Sequence, residues 1–194
     1  MIAPSGEQIE IIAGDQHAVV VEVGGGLRSY SAGGRELVDG YKANEMSSSG
    51  RGQALIPWPN RLQEGSYEFD GRRHQLPLNE PERRNAIHGL VRWAAWTASA
   101  RETHRVVMEY VLHPQPGYPF SLSLGIEYAL LDSGLRVRTT ATNVGTDVCP
   151  YGSGAHPYLT PWDRYRRSSD FARTRANRAA VRRARPSDRH GGRG

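Results

Sequence analysis

Short apolar segments separated by glycine-containing turns run along the first forty residues of the chain. Three such segments, at residues 9–12, 18–23 and 27–30, are separated by Gly14-Asp15 and by a run of three glycines. They recur about every ten residues, a spacing that is typical of antiparallel strands joined by tight turns. We therefore predict a β-meander at the start of the chain.

The same pattern resumes after residue 65. Alternating segments at residues 66–69 and 72–76 flank an Asp-Gly pair, which is a strong local signal for a β-hairpin. No segment of the body has a helical period longer than two turns. Four further strands are predicted, at residues 93–100, 105–112, 120–131 and 135–143. Many short strands with turn residues between them indicate an all-β sandwich or barrel.

Composition narrows the class of protein. The 194 residues include 22 Gly and 12 Pro, which suits a turn-rich β protein. No stretch approaches the ~20 apolar residues of a membrane helix, and the first residues lack a signal-peptide pattern. We therefore expect a cytoplasmic protein with no membrane partner. Because Cys149 is the single cysteine, acid–base chemistry must come from His, Asp, Glu or Tyr.

The net charge of +5 is unevenly distributed along the chain. Residues 164–194 contain 11 Arg and two acidic residues and carry +9, whereas residues 1–163 carry −4. The basic character therefore belongs to the tail alone. Such an asymmetry often marks an interaction tail.

The first of three segments that differ from the strand pattern spans residues 52–62. Two prolines flank Trp58, and Asn60 and Arg61 follow. Proline fixes the backbone dihedral φ and removes a donor, so this segment should be rigid and should present these side chains in set directions. A packed loop with a buried tryptophan is the alternative.

Two histidines lie in the remaining two segments. His88 stands between apolar residues and next to a glycine, and His156 precedes Pro157, which favours an extended backbone. Histidine titrates near neutrality and suits acid–base work, so with Asn60 and Arg61 the pair predicts a polar ligand site. Two satisfied core histidines are the alternative. Neither a zinc-ligand spacing nor a Gly-x-Ser-x-Gly elbow occurs, which argues against a metal site and a serine hydrolase.

Taken together, these segments resemble the aldose 1-epimerase, or galactose mutarotase, family. The likeness covers about residues 8–161, with the family's order and approximate spacing kept. The matching segments are residues 57–62, 65–69, 85–90, 118–120, 142–145 and 154–159. The resemblance implies an all-β, galactose-mutarotase-like β-sandwich (a supersandwich) in residues 1–161, and an incomplete one.

The resemblance also implies an activity and a site. Members of the family interconvert the α and β anomers of free hexoses by acid–base ring opening, so the expected partner is a small sugar, without cofactor, metal or specific nucleic acid. By this resemblance His156 is the general acid, and His88 helps to bind and polarise the sugar. Asn60 and Arg61 would bind sugar hydroxyls, since an amide and a guanidinium offer several donors. We expect Tyr158 or Trp58 to stack on the sugar, with packing in the core as the alternative.

The resemblance ends near residue 161. The family's base is a glutamate of the later half, and no glutamate follows Tyr165 here. Residues 162–194 are Arg-rich and lack strand periodicity, and residues 1–163 use 13 Arg against one Lys, as expected of GC-rich DNA. We therefore predict that residues 162–194 are an out-of-frame or disordered tail.

Two alternative origins of the tail stay open. It is either an evolved basic segment that binds nucleic acid or anionic lipid, or the end of a genuinely shortened relative. Without the glutamate, the chain is expected to be a poor catalyst or a non-catalytic carbohydrate-binding relative, because each acid–base partner typically contributes 10²- to 10⁴-fold to the rate.

Overall fold

A computed structural model describes residues 2–160, and the elements there are almost entirely β-strands. The predicted tail, residues 162–194, lies outside the described residues. A 3₁₀ turn at Pro81–Arg83 is the one helical element among residues 2–160. The strands are β1 (Gln8–Ala13), β2 (Gln16–Val21), β3 (Leu27–Ala32), β4 (Arg35–Glu36), β5 (Ala54–Leu55), β6 (Arg61–Gln63), β7 (Ser66–Phe69), β8 (Arg72–Gln75), β9 (Asn85–Ile87), β10 (Thr97–Glu102), β11 (Arg105–Leu112), β12 (Leu122–Leu131), β13 (Gly134–Asn143) and β14 (Gly154–Ala155).

Strands β1 to β4 form the first sheet, antiparallel and in chain order. In β1 the side chains alternate, with Ile9 and Ile11 buried and Glu10 and Ile12 exposed. The second half of β2 is buried on both faces. The predicted N-terminal meander is therefore present, and its inner face contributes to the core.

Strands β10 to β13 form the second sheet, also antiparallel and in chain order. Every second side chain of β12 is buried, as the period of a half-buried strand requires. These side chains are Leu122, Leu124, Ile126, Tyr128 and Leu130. Together with the inner face of the first sheet they form one hydrophobic cluster.

Buried tyrosines connect the two sheets. The Tyr30 hydroxyl donates a hydrogen bond to Oε1 of Gln16 (2.8 Å) and accepts one from the backbone N–H of Leu135 (3.1 Å). The Tyr128 hydroxyl donates to the carbonyl of Gly25 (2.8 Å). Because buried hydroxyls need partners, these bonds fix how the sheets lie on each other. The predicted all-β sandwich is confirmed.

One predicted strand is wrong in its first half. A turn covers residues 92–94, Ala95 forms only an isolated antiparallel bridge with Val23, and β10 begins at Thr97. The N–H of Ala94 donates to the carbonyl of Val91 (3.2 Å), and the carbonyl of Ala94 accepts from Gly24 (2.8 Å). These bonds close the turn and place Trp96 in the core.

The three segments that were not expected to contain strands do contain very short ones. Strand β5 pairs with β14, and β6 pairs with β9, all antiparallel. A parallel bridge between Ile56 and Gly89 joins the two pairs. Three stretches that are far apart in the sequence are thereby held side by side.

Candidate active site

The two predicted histidines are in direct contact. Nε2 of His88 lies 3.2 Å from Nε2 of His156, and the two rings are nearly perpendicular, with centroids 4.8 Å apart. His88 follows β9 and His156 follows β14. The short ladders of β5, β6, β9 and β14 therefore bring together two side chains that are 68 positions apart.

The hydrogen bonds of His88 determine which nitrogens carry protons. The backbone N–H of Asn60 donates to Nδ1 of His88 (3.0 Å). Nδ1 must therefore be an acceptor, and the proton of neutral His88 lies on Nε2. That N–H donates to Nε2 of His156, whose own proton then lies on Nδ1. If His88 were protonated in this arrangement, its Nδ1–H would face the N–H of Asn60. If His156 were protonated, its Nε2–H would face the Nε2–H of His88.

The surroundings favour the neutral form of both rings. Burial, followed by the positive charges of His156, Arg92 and Arg61, lowers the pKa of His88 from 6.5 to about 4. Burial and the charge of Arg92 also lower the pKa of His156. Both effects disfavour a charged imidazole. The pair is therefore neutral at physiological pH when no ligand is bound.

A constrained backbone places His88. Both His88 (φ 63°) and Asn60 (φ 66°) adopt the left-handed conformation, in which histidine and asparagine are more frequent than most residues. Gly89 (φ 73°) follows, and a Cβ there would overlap the carbonyl oxygen of Ile56. That oxygen accepts a hydrogen bond from Leu90 (2.7 Å) and cannot move away freely. Only glycine fits at position 89.

Arg61 is held by a carboxylate. Its Nε and Nη2 donate to the two oxygens of Glu80, each at 2.7 Å. Glu80 also accepts from Nδ2 of Asn85 (2.9 Å), and these donors lower the pKa of Glu80 to about 2. The side chain of Asn60 lies alongside, with Oδ1 3.4 Å from Nη1 of Arg61. Arg61 is thus oriented, and its charge is largely compensated.

Of the two aromatic residues expected to contact sugar, Tyr158 lies beside the histidines. Its ring centroid is 6.3 Å from that of His156, and its hydroxyl donates to the carbonyl of Ser49 (3.2 Å). The guanidinium of Arg51 covers the ring at 4.7 Å. Trp58 is partly buried and packs against the core, and its Nε1–H has no hydrogen-bond partner among residues 2–160.

Glu80 and Arg51 were not singled out from the sequence, and neither were two residues that lie beside His156. The first is Arg92, which is half-buried and lies over the ring of Trp93 at 5.6 Å. The second is Gly50, where a Cβ would lie 3.1 Å from Cδ2 of His156 and 4.0 Å from Nη1 of Arg92. No local sequence pattern indicates Arg92, because the segment from His88 to Arg92 is not helical and a separation of four residues does not imply contact there.

Residues 2–160 have a surface depression away from this site, but neither a metal-ligand cluster nor a membrane-spanning helix. A shallow depression of about 390 Å³ is lined by Tyr41, Lys42 and their neighbours, and neither histidine borders it. Among residues 2–160 no group of three or more His, Cys, Asp or Glu side chains is arranged to hold a metal ion. Nor does any helix in that part of the chain have the length and apolarity needed to cross a membrane.

Comparison with solved structures defines the fold. A galactose mutarotase-like protein from Lactobacillus casei aligns with a TM-score of 0.64 at 22% identity, over 79% of this chain and 50% of that one. The GalM/aldose epimerase homologue from C. elegans aligns with a TM-score of 0.69 at 19% identity, over the same shares. The fold is therefore a galactose-mutarotase-like β-sandwich, as the sequence predicted.

Comparison of sequences establishes the family. The model of the aldose 1-epimerase family matches residues 7–166. The chain is 43% identical to YihR of Escherichia coli K12 over 157 residues, which are 80% of this chain and 51% of YihR. The chain belongs to the aldose 1-epimerase family. It spans about half the length of YihR, and a smaller share, 35%, of YphB from the same organism.

Proposed function

We propose that this chain carries the histidine-bearing part of an aldose 1-epimerase site, with free hexoses as the substrate class. The observation that supports this proposal best is the contact between Nε2 of His88 and Nε2 of His156, with Asn60 and Arg61 alongside. Ring nitrogens and a forked guanidinium, held on a rigid frame, suit a ligand that is covered with hydroxyl groups.

Interconversion of anomers needs an acid and a base. The base removes the proton of the anomeric hydroxyl while the acid protonates the ring oxygen. The bond from the ring oxygen to C1 then breaks, C1 turns as an open-chain aldehyde, and the ring closes on the other face. In this proposal His156 protonates the ring oxygen, and His88 binds and polarises the sugar by donating a hydrogen bond from its Nε2–H once the sugar separates the two rings.

Glu80, the carboxylate near His88, is a poor base. Glu80 is the acidic group that acts on His88, but it is bound by Arg61 and Asn85 and has a pKa of about 2. Proton removal is most effective when the pKa of the base lies near the working pH. This observation favours a second candidate function, a carbohydrate-binding protein that does not catalyse.

Polarimetry of freshly dissolved α-glucose distinguishes the two functions. For an epimerase we expect the chain to speed mutarotation, and His156→Gln to reduce the acceleration by about 10²- to 10⁴-fold. The control is Arg84→Gln, which alters only an exposed ion pair with Glu64. A binding protein would be stabilised by glucose against heat without speeding mutarotation. Neither effect in a folded sample would refute both functions for glucose.

A further inference from the structure

Arg92 differs from the other arginines near the histidines. Arg61 is paired with Glu80, and Arg51 lies 3.3 Å from Asp39. Arg92 has no hydrogen bond or ion pair from its guanidinium to any of residues 2–160, although it is half-buried. Burial lowers the pKa of Arg92, because part of its hydration is lost and no counter-charge among residues 2–160 replaces it.

The backbone of Arg92 is fixed in place. The buried amide of Gln53 donates from Nε2 to the carbonyl of Arg92 (2.9 Å). On the other side a Cβ at Gly24 would lie only 2.6 Å from the same oxygen, so the chain passes very close. The direction of the side chain is then set by the face of Trp93.

The guanidinium points towards the histidine pair. Nη1 of Arg92 and Cδ2 of His156 both lie within 4.0 Å of the point that a Cβ on Gly50 would occupy. Because Gly50 has no side chain, no Cβ lies beside His156 and Arg92 at this position. An oxygen-bearing group of a ligand that contacts His156 would therefore meet the donors of Arg92.

We propose that the site accepts an aldose that carries an oxyanion substituent, and that Arg92 binds this substituent beside His156. The inference rests on the proposed function, because it assigns a substrate class to that same site. A carboxylate, a phosphate ester and a sulfate ester share the required chemistry, since all three accept two hydrogen bonds from a guanidinium.

An anion bound at Arg92 would also affect catalysis. The charge of Arg92 lowers the pKa of both histidines, and a bound anion would offset that charge. The pKa of His156 would then rise, so that the ring could hold the proton that a general acid must deliver. A neutral sugar would not produce this rise.

Calorimetric titration of the full chain with matched sugars tests the inference. The probes are glucose, glucuronate, glucose 6-sulfate and glucose 6-phosphate, which differ in the group at C6. We expect at least one anionic probe to bind more tightly than glucose. Arg92→Gln should reduce the ratio of anionic to glucose affinity about 10- to 100-fold, the usual range for a charged hydrogen bond. Arg72→Gln, an exposed arginine of the β7–β8 hairpin, is the matched control and should leave all affinities unchanged.

A second measurement needs no variant. Proton NMR of the histidine rings in the wild-type chain should show the His156 titration midpoint rising when the tightest anionic probe is bound. The probe that binds most tightly identifies the oxyanion. The inference is overturned if glucose binds as tightly as every anionic probe, or if the His156 midpoint does not change. Either result leaves the proposed function standing. No binding of any of the four sugars refutes the sugar site and the inference together.

Discussion

The free energy of unfolding should fall as the pH is lowered from about 6.5 to about 4, because folded His88 resists protonation. Unfolded histidine binds a proton with a pKa near 6.5, whereas in the folded chain the pKa of His88 is about 4. Between these values the unfolded state binds more protons, so stability rises with pH. The free energy of unfolding therefore starts to fall near pH 6.5, and the fall due to His88 is complete below about pH 4.

The size of the effect follows from the shift. At about 1.4 kcal/mol for each pKa unit, the full shift corresponds to about 3 kcal/mol. His88 is partly exposed, and solvent screening reduces this value, so about 1–2 kcal/mol is the expected contribution.

The variant that tests this is His88→Asn. Asparagine tolerates the left-handed backbone at this position, and its Oδ1 can accept the N–H of Asn60, but it does not titrate. Urea denaturation at several pH values, followed by tryptophan fluorescence, measures the free energy of unfolding. The loss between about pH 7 and pH 4 should be about 1–2 kcal/mol smaller in the variant.

The control for general destabilisation is Leu62→Ala. This neutral, partly buried side chain packs against the core near Arg61, and its truncation should lower stability by the same amount at every pH. If His88→Asn loses as much stability on acidification as the wild type does, the argument that burial and neighbouring charge keep His88 neutral is refuted.

Three other changes have defined outcomes. Gly89→Ala should lower the free energy of unfolding by at least about 3 kcal/mol in urea denaturation. Gly71 has a similar φ of 69° but no atom within 4 Å of its Cβ position, so Gly71→Ala should cost about 1 kcal/mol. Equal costs would contradict the close approach at Gly89. Met108→Ala, at a fully buried position of β11, should cost about 2–5 kcal/mol by the same assay, and a cost below about 1 kcal/mol would place this side chain outside the core. Glu80→Gln should weaken binding of the preferred sugar about tenfold in calorimetric titration, because Arg61 loses the carboxylate that orients it. An unchanged affinity would show that Arg61 does not bind the sugar.

The long strands could be predicted from the sequence because they repeat their pattern several times. Strand β12 has ten residues, and five of its six buried side chains alternate along one face. Strands β5 and β14 have two residues each, and β6 and β9 have three. Segments so short have no period to detect, and their pairing depends on contacts between distant parts of the chain. These are the strands that assemble the candidate site.

The site was predictable to the extent that residue type alone carries chemistry. His88, His156, Asn60 and Arg61 stand out because such side chains are unusual in rigid, glycine- and proline-flanked segments. Trp58 stood out for the same reason, yet it packs against the core, because a large aromatic side chain suits a core as well as a sugar. The distinction depends on which neighbours surround the ring, and no local pattern encodes them.

Arg92 shows why the chemistry of the site depends on groups that the sequence does not mark. A general acid must hold a proton at the working pH, but the folded chain lowers the pKa of both histidines, in part through Arg92. If the substrate were neutral, this arginine would oppose the catalysis that the histidines are proposed to perform. If the substrate carries an anion at Arg92, the same arginine contributes to binding and its charge is offset when the proton is needed. The unpaired charge is therefore better explained as one half of a substrate contact than as a defect of the site.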